Sequence, residues 1–215
     1  MILIGPPGAG KGTQANRLEE ALSIGNLSTG ALLRDAITSD SELGKEAKVL
    51  VEGGNFVPDD IIIALVSARI DEPDCDEGFI LDGFPRTLPQ AKALDKILEA
   101  RESKVDAVIE FELDDEIVVE RITGRFSCKK CHEGYHKAHK LPAVEGVCDS
   151  CGGTEFVQRA DDSEEKIRTR LALYHEQTEP ILPYYERRGI LRSLDGTEDL
   201  DDVTGQLKEV LALLN

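Results

Sequence analysis

The sequence predicts an α/β fold in which a five-stranded parallel sheet is covered by helices, and three observations carry that expectation. Short apolar runs of strand character alternate with longer segments of helical period. A glycine-rich loop ending in a lysine follows the first run. One cysteine-bearing segment, Phe126 to Val157, follows neither period and reads as an insertion. At 215 residues the chain is long enough for one substantial core plus such an insertion, given roughly 150 residues per domain.

In chain order, strands are expected over Ile2 to Ile4, Asn26 to Ser28 (the weakest run), Phe79 to Leu81, Ala107 to Phe111 and Leu191 to Leu194. Nearly continuous apolar runs of this kind suit strands buried on both faces, which is the situation in a parallel sheet. Helices are expected over Lys11 to Leu22, Gly30 to Ile37, Gly44 to Glu52, Asp59 to Asp71, Pro89 to Ala100, Asp114 to Gly124, Asp162 to Arg188 and Asp199 to Leu214. Pro58 and Pro89 stand at helix starts, where a missing N–H is harmless, and Gly53-Gly54 closes one pattern. Pro180 and Pro183 fall inside the longest pattern and should kink or divide it. Arg121 and Arg125, four residues apart, are expected on one face of a helix.

With 42 acidic and 25 basic side chains the formal charge is -17. Such a charge repels a polyphosphate backbone, and aromatics at 5% offer little to stack on bases, so nucleic-acid binding is not expected. No run approaches the roughly 20 apolar residues of a membrane helix, and Met1 to Ile4 breaks at Gly5 without a basic leader. A cytoplasmic chain without a membrane partner is the expectation. Without an apolar surface stripe asking for a partner, a monomer is expected too.

Gly5-Pro6-Pro7-Gly8-Ala9-Gly10-Lys11-Gly12-Thr13 lies between the first strand and the first helix. Inward-turned backbone N–H groups, a helix N-terminus and a lysine point charge together suit the phosphates of a nucleoside triphosphate. The hydroxyl expected directly after the lysine is delayed to Thr13. A GTPase switch would carry Asn-Lys-x-Asp to read its base, and no Asn-Lys pair occurs.

Cys128-x2-Cys131, sixteen intervening residues and Cys148-x2-Cys151 match the spacing of a tetrahedral zinc site. Four protein ligands would leave no open position, so this zinc would be structural. Cys128-Lys-Lys-Cys131-His132 also fits a c-type haem attachment, against which stand the second cysteine pair and the absence of any methionine beyond Met1. Metal-free thiols and ligation by three cysteines with a nearby histidine stay open. Cys75 is expected to be an incidental loop thiol.

Taken together, GPPGAGKGT with its delayed threonine, Ser28-Thr29-Gly30 followed by Leu33-Arg34, Leu81-Asp82-Gly83-Phe84-Pro85-Arg86 with Gln90, Gly124-Arg125, and Arg159-Ala160-Asp161-Asp162 resemble adenylate kinase of the bacterial long-lid type. The resemblance runs from Met1 to about Gly196. It implies a P-loop nucleoside monophosphate kinase fold and magnesium-dependent transfer of the γ-phosphoryl of ATP to AMP, giving two ADP. It further implies a core at 1–27, 58–123 and 163–215, an AMP-binding subdomain at 28–57 and a zinc-bearing lid at 124–162.

Carried over residue by residue, the resemblance assigns the ATP phosphates to Gly8, Ala9, Gly10, Lys11, Gly12 and Thr13, with Lys11 on the transferring group. Thr29, Arg34, Asn55, Phe56, Val57, Gly83, Phe84, Pro85, Arg86 and Gln90 would hold AMP. Arg121, Arg125, Arg159 and Arg170 would meet phosphate from the lid side, and Gly134, Tyr135 and the backbone at Glu198 would lie near the ATP nucleoside. Ala31 replaces the aspartate usual after Ser-Thr-Gly.

The chemistry accounts for these residue types. ATP and AMP bring about six negative charges together, and the planar fork of arginine binds phosphate oxygens two at a time. Asp82, ending an apolar strand, could hold magnesium through water. Asp161 and Asp162 either cap the long helix or orient the lid arginines. The acceptor phosphate is already anionic at pH 7, so no histidine is assigned as a base. Two other readings stay open: a nucleotide-regulated nucleic-acid-binding protein using the cysteine segment, and a kinase for another monophosphate, because a rotated Gln90 amide could meet guanine instead of adenine.

Overall fold

The computed structural model describes residues 1–38, 44–45, 48, 57–131, 133–158 and 162–212. The chain divides into two compact units. The first comprises Met1–Gly5, Gly10–Glu112 and Tyr174–Asn215, and the second Pro6–Ala9 and Leu113–Leu173.

The first unit is built on five parallel strands: β1 (Ile2–Ile4), β2 (Gly25–Ser28), β3 (Phe79–Asp82), β4 (Val108–Glu112) and β8 (Leu191–Asp195), in the order β2-β3-β1-β4-β8. All three residues of β1 are buried, as expected of a central parallel strand. Alternate side chains serve opposite faces: Ile2 and Ile4, but not Leu3, join Leu27, Leu81 and Val108 in one apolar cluster. Helices α3 (Asp59–Ile70) and α4 (Leu88–Glu99) contribute Val66, Ile70, Ala91, Leu94 and Leu98 to that cluster. Helix α1 (Lys11–Leu22) packs on β1, β2 and β3 and against α8 (Leu200–Ala212). Gln14, itself buried, donates from Nε2 to the Leu200 carbonyl at 2.9 Å and joins those two helices.

Register fixes where the loops emerge. Ser28 pairs with Asp82 and Leu3 also pairs with Asp82, so β2, β3 and β1 end side by side. The segments that follow them, opening with Thr29, Gly83 and Gly5, leave from neighbouring carboxyl ends, where open parallel sheets bind ligands. Helix α2 (Thr29–Thr38) continues directly from β2. Of the expected helix Gly44 to Glu52, Gly44, Lys45 and Lys48 are helical and the other positions lie outside the described residues.

The second unit pairs α5 (Asp115–Thr123) with α6 (Glu164–Leu173) through Val118, Val119, Ile122, Ile167 and Leu171. Arg168 adds ion pairs to Glu116 at 2.8 Å and to Glu164 at 3.0 Å. The segment that reads as an insertion, with neither period in its sequence, contains a three-stranded antiparallel sheet, β6-β5-β7, formed by β5 (Arg125–Cys128), β6 (Gly134–His136) and β7 (Phe156–Val157).

The long pattern from Asp162 is divided, as its prolines require. Helix α6 ends at Leu173, a π-turn covers Tyr174–Thr178, a 3-10 turn Glu179–Ile181 and a short α7 Leu182–Glu186. Cys75 corrects the loop-thiol expectation: it lies in a 3-10 turn, is 6% exposed and belongs to the main apolar cluster. Burial pushes its thiol up to about 11, against the pull of Arg69. No helix among the described residues is long and apolar enough to cross a membrane.

Candidate functional site

Between β1 and α1 the chain turns sharply. A Cβ at Gly8, where φ is +80°, would stand 2.6 Å from Ile122 Cγ1, so backbone strain and space both demand glycine there. Gly10 precedes α1 with φ +89°. The first bond into the helix runs from the Gln14 N–H to the Gly10 carbonyl at 3.0 Å, which leaves the N–H groups of Lys11, Gly12 and Thr13 in the anion-attracting first turn. Lys11 Nζ donates to the Gly5 carbonyl at 2.8 Å. A side chain on Gly12 would come within 3.3 Å of Asp82 Oδ2, so the strand-end carboxylate stands beside the start of the helix.

Residues following β2 and β3 form a second constellation. Thr29 is buried, and its hydroxyl donates to the Gly83 carbonyl at 2.9 Å. Arg86 Nε donates to that same carbonyl at 2.8 Å. Arg34 folds back over the start of its own helix, with Nη1 3.4 Å from where a Gly30 side chain would begin. Phe84 is 1% exposed and precedes a cis peptide to Pro85, while Arg86 is exposed. Gln90 is 5% exposed and its Oε1 accepts the Arg86 backbone N–H at 2.7 Å. Thus Thr29, Gly83, Arg86 and Gln90 are brought together. Val57 precedes α3, whereas Asn55 and Phe56 lie outside the described residues.

Arg121 and Arg170 sit on α5 and α6 of the second unit. Arg125 does not share a helix face with Arg121: α5 ends at Thr123, Gly124 caps it, and Arg125 opens β5. The helical spacing therefore fails because the glycine ends the helix one residue before Arg125. Arg125 is instead held by Asp162, whose side chain is 1% exposed. Arg125 Nη2 donates to Oδ1 at 2.6 Å and Nε to Oδ2 at 3.2 Å. Asp162 precedes Ser163 and the first turn of α6, and its carboxylate is committed to the arginine. Arg159 and Asp161 lie outside the described residues.

The four cysteines converge. Their sulfurs all lie within 4.8 Å of one another, with Cys128–Cys151 at 3.6 Å and Cys131–Cys148 at 3.5 Å. Four thiolates around one zinc at ~2.3 Å would stand ~3.8 Å apart, so this donor set fits the ion in number, chemistry and spacing. The cluster also exceeds the two thiols a haem attachment requires, and among the described residues no histidine joins it. His132 lies outside the described residues. A side chain on Gly153 would press on Cys128 Sγ at 3.2 Å and Cys151 Sγ at 3.3 Å.

Around the sulfurs, Phe126, Tyr135 and Phe156 form an aromatic triangle with centroids 5.5 to 5.6 Å apart. The Tyr135 hydroxyl donates to Cys148 Sγ at 3.4 Å and accepts the Asp149 N–H at 2.8 Å. That hydroxyl, aided by the N–H groups of Cys151 and Ser150 and opposed by burial, lowers Cys148 to about 6, which favours the thiolate a metal needs. Tyr135 is 2% exposed, so its ring belongs to the interior of the cysteine-bearing segment, while Gly134 is exposed. Glu198 belongs to the first unit and pairs with Gln206.

Sequence reasoning did not single out Asp59, Thr87 or Thr178. Asp59 Oδ1 accepts Gln90 Nε2–H at 2.6 Å, and Asp59 Oδ2 accepts the Thr87 hydroxyl at 2.8 Å. The Thr178 hydroxyl donates to the Arg86 carbonyl at 3.0 Å. An acid in the first turn after Pro58 was the only local signal, and it reads equally as a helix-dipole partner.

The family model for adenylate kinase matches residues 3–190. The adenylate kinase of Novosphingobium aromaticivorans is 51% identical over 212 residues, covering 99% of this chain and 98% of that relative. Those of Rhizobium rhizogenes and Allorhizobium ampelinum are 50% and 49% identical, covering 100% and 99% of this chain and 99% and 98% of the relatives. With its glycine loop between β1 and α1 and its parallel sheet in the order β2-β3-β1-β4-β8, this chain belongs to the adenylate kinase family.

Proposed function

We propose that the chain catalyses reversible transfer of the γ-phosphoryl of ATP to AMP, giving two ADP, and so balances the adenine nucleotide pool. The observation that carries this reading is the glycine loop with Lys11 at the start of α1, beside Asp82 at the end of β3, in a chain of this family. Phosphoryl transfer needs alignment and positive charge more than proton chemistry. The acceptor oxygen is an ionised phosphate oxygen, so no general base is assigned.

In this reading the first turn of α1, with Gly8 to Thr13, cradles the ATP phosphates and Lys11 offsets the charge that develops during transfer. Thr29, Arg34, Asn55, Phe56, Val57, Gly83 to Arg86 and Gln90 receive AMP. Support comes from the preformed contacts of Thr29, Arg86 and Gln90 around the loop after β3. Arg121, Arg125, Arg159 and Arg170 supply guanidinium groups to phosphate oxygens, with Asp162 holding Arg125 and Asp161 assigned to the same task. Gly134 and Tyr135, through their backbone, and the backbone at Glu198 are assigned to the ATP nucleoside.

Magnesium arrives with ATP, and Asp82 provides a hard oxygen acceptor for its hydration shell. Cys128, Cys131, Cys148 and Cys151 would hold a zinc ion whose chemistry is to cross-link the segments carrying β5, β6 and β7. The division into a core at 1–27, 58–123 and 163–215, an AMP-binding subdomain at 28–57 and a lid at 124–162 belongs to this proposal, as do a cytoplasmic location and a monomeric state.

The test is a phosphoryl-transfer assay offering ATP with AMP, GMP, CMP and UMP separately. AMP should give the highest kcat/KM. Equal rates with all four, or ATP hydrolysis without transfer, would overturn the reading.

A further inference from the structure

The geometry points to Asp59 as the residue that sets which way round the Gln90 amide faces, and thereby to Asp59 as a positioning residue for purine choice. The inference rests on the assignment of Gln90 to the AMP base.

Gln90 is 5% exposed and both ends of its amide are committed. A backbone N–H, that of Arg86, can only donate, so the atom 2.7 Å from it is the carbonyl Oε1. A carboxylate can only accept, so the atom 2.6 Å from Asp59 Oδ1 is the amino Nε2. Turning the amide over would set Nε2–H against N–H and Oε1 against a carboxylate oxygen, two repulsions in place of two hydrogen bonds. Asp59 is itself fixed, because its second oxygen accepts the Thr87 hydroxyl at 2.8 Å. The same Thr87 hydroxyl caps α4 by accepting the Gln90 N–H at 3.3 Å. Opposite these, Thr178 holds the Arg86 carbonyl. The loop that presents Gln90 is thereby tied to α3 through Asp59 and to the π-turn through Thr178.

After these commitments the amide retains one N–H and one Oε1 lone pair for a ligand, in fixed order. Adenine carries a 6-amino donor beside a ring-nitrogen acceptor, whereas guanine carries a 6-oxo acceptor beside a ring N–H donor. The two purines therefore reverse the pattern, and an amide that cannot turn over discriminates between them. A site that leaves a buried polar group mispaired rejects the wrong ligand strongly.

The experiment measures kcat/KM for AMP and for GMP, and KM for ATP, in the wild type, Asp59→Ala, Asp59→Asn, Gln90→Ala and the double variant Asp59→Ala/Gln90→Ala. Asp59→Ala should raise KM for AMP and lower the AMP-over-GMP ratio by about tenfold, without a matching rise in KM for ATP. Asp59→Asn, whose carbonyl can still accept from Nε2, should fall between, about threefold below the wild type. The double variant should discriminate no worse than Gln90→Ala alone, because Asp59 acts through that amide.

A full preference in Asp59→Asn alongside a lost preference in Gln90→Ala overturns the proposal, and this comparison stands even if Asp59→Ala fails to fold. Additive losses in the double variant overturn it as well, since they mean Asp59 acts independently of the Gln90 amide. An undiminished preference in Gln90→Ala overturns the assignment of Gln90 to the base, and the proposal with it.

Discussion

Asp162 grips Arg125 through two hydrogen bonds, at 2.6 and 3.2 Å, from a carboxylate that is 1% exposed. The pair joins the segment leading into the last helix of the second unit to the first strand of its small sheet. On the proposed phosphate role of Arg125, a guanidinium held this way is aimed in advance, which lowers the entropy cost of binding an anion. Asp162→Ala should cost about 1–3 kcal/mol of stability, because it strands a charge-assisted donor set. It should also lower kcat about tenfold, as Arg125 loses its orientation. Denaturant unfolding and steady-state kinetics at 25 °C measure both. Unaltered kcat in a folded Asp162→Ala protein would remove the positioning role.

A cluster of four cysteine sulfurs with little apolar mass around it should depend on metal for its order. Among the described residues its interior comprises Cys128, Tyr135 and Cys148, with Phe126, Cys151 and Phe156 packed around them. About one zinc per chain is expected by mass spectrometry in protein purified without chelators. Cys148→Ser or chelation should lower Tm by at least ~5 °C, while far-UV circular dichroism keeps the signal of the parallel sheet and its helices. A metal-free protein that melts unchanged by either treatment would contradict the zinc assignment.

Glu110, on β4, predicts a pH dependence of stability. Burial raises its carboxyl above the usual range, opposed by the Ser193 hydroxyl bond at 2.7 Å and reinforced by Glu112, Glu179 and Glu186. An acid whose folded pKa is raised holds its proton more tightly in the folded state. It therefore favours folding at low pH, and that advantage is lost as pH rises through the raised value. Glu110→Gln should accordingly raise Tm at pH 7 by ~2 °C and lose this benefit near pH 4. A variant less stable than the wild type at pH 7 would contradict the assignment.

The legibility of the sequence tracked how local the cause of each element is. Helix α1 spans Lys11–Leu22 as its period indicates, and β1 spans Ile2–Ile4, because one amphipathic stripe or one apolar run suffices to specify each. The small sheet escaped because β7 has two residues and β6 three, too few to show a period. Their stability comes from sulfurs and aromatic rings that meet only after folding. Arg125 was misplaced because helical spacing extends through Gly124 on paper, whereas the glycine ends α5. The cysteine pairs and glycine loop were readable because their chemistry depends on spacing within a few residues. Asp59 and Thr178, which reach Gln90 and Arg86 across 31 and 92 positions, carry no such mark.

The most direct measurement of the central claim starts from ADP alone. Phosphorus NMR of the protein with ADP and magnesium should show ATP and AMP rising together in equal amounts, without inorganic phosphate. Lys11→Ala should slow that rise by at least about 100-fold, the scale for losing a preorganised charge at a reacting centre. Inorganic phosphate in place of ATP, or a folded Lys11→Ala protein that converts ADP at the wild-type rate, would contradict the account.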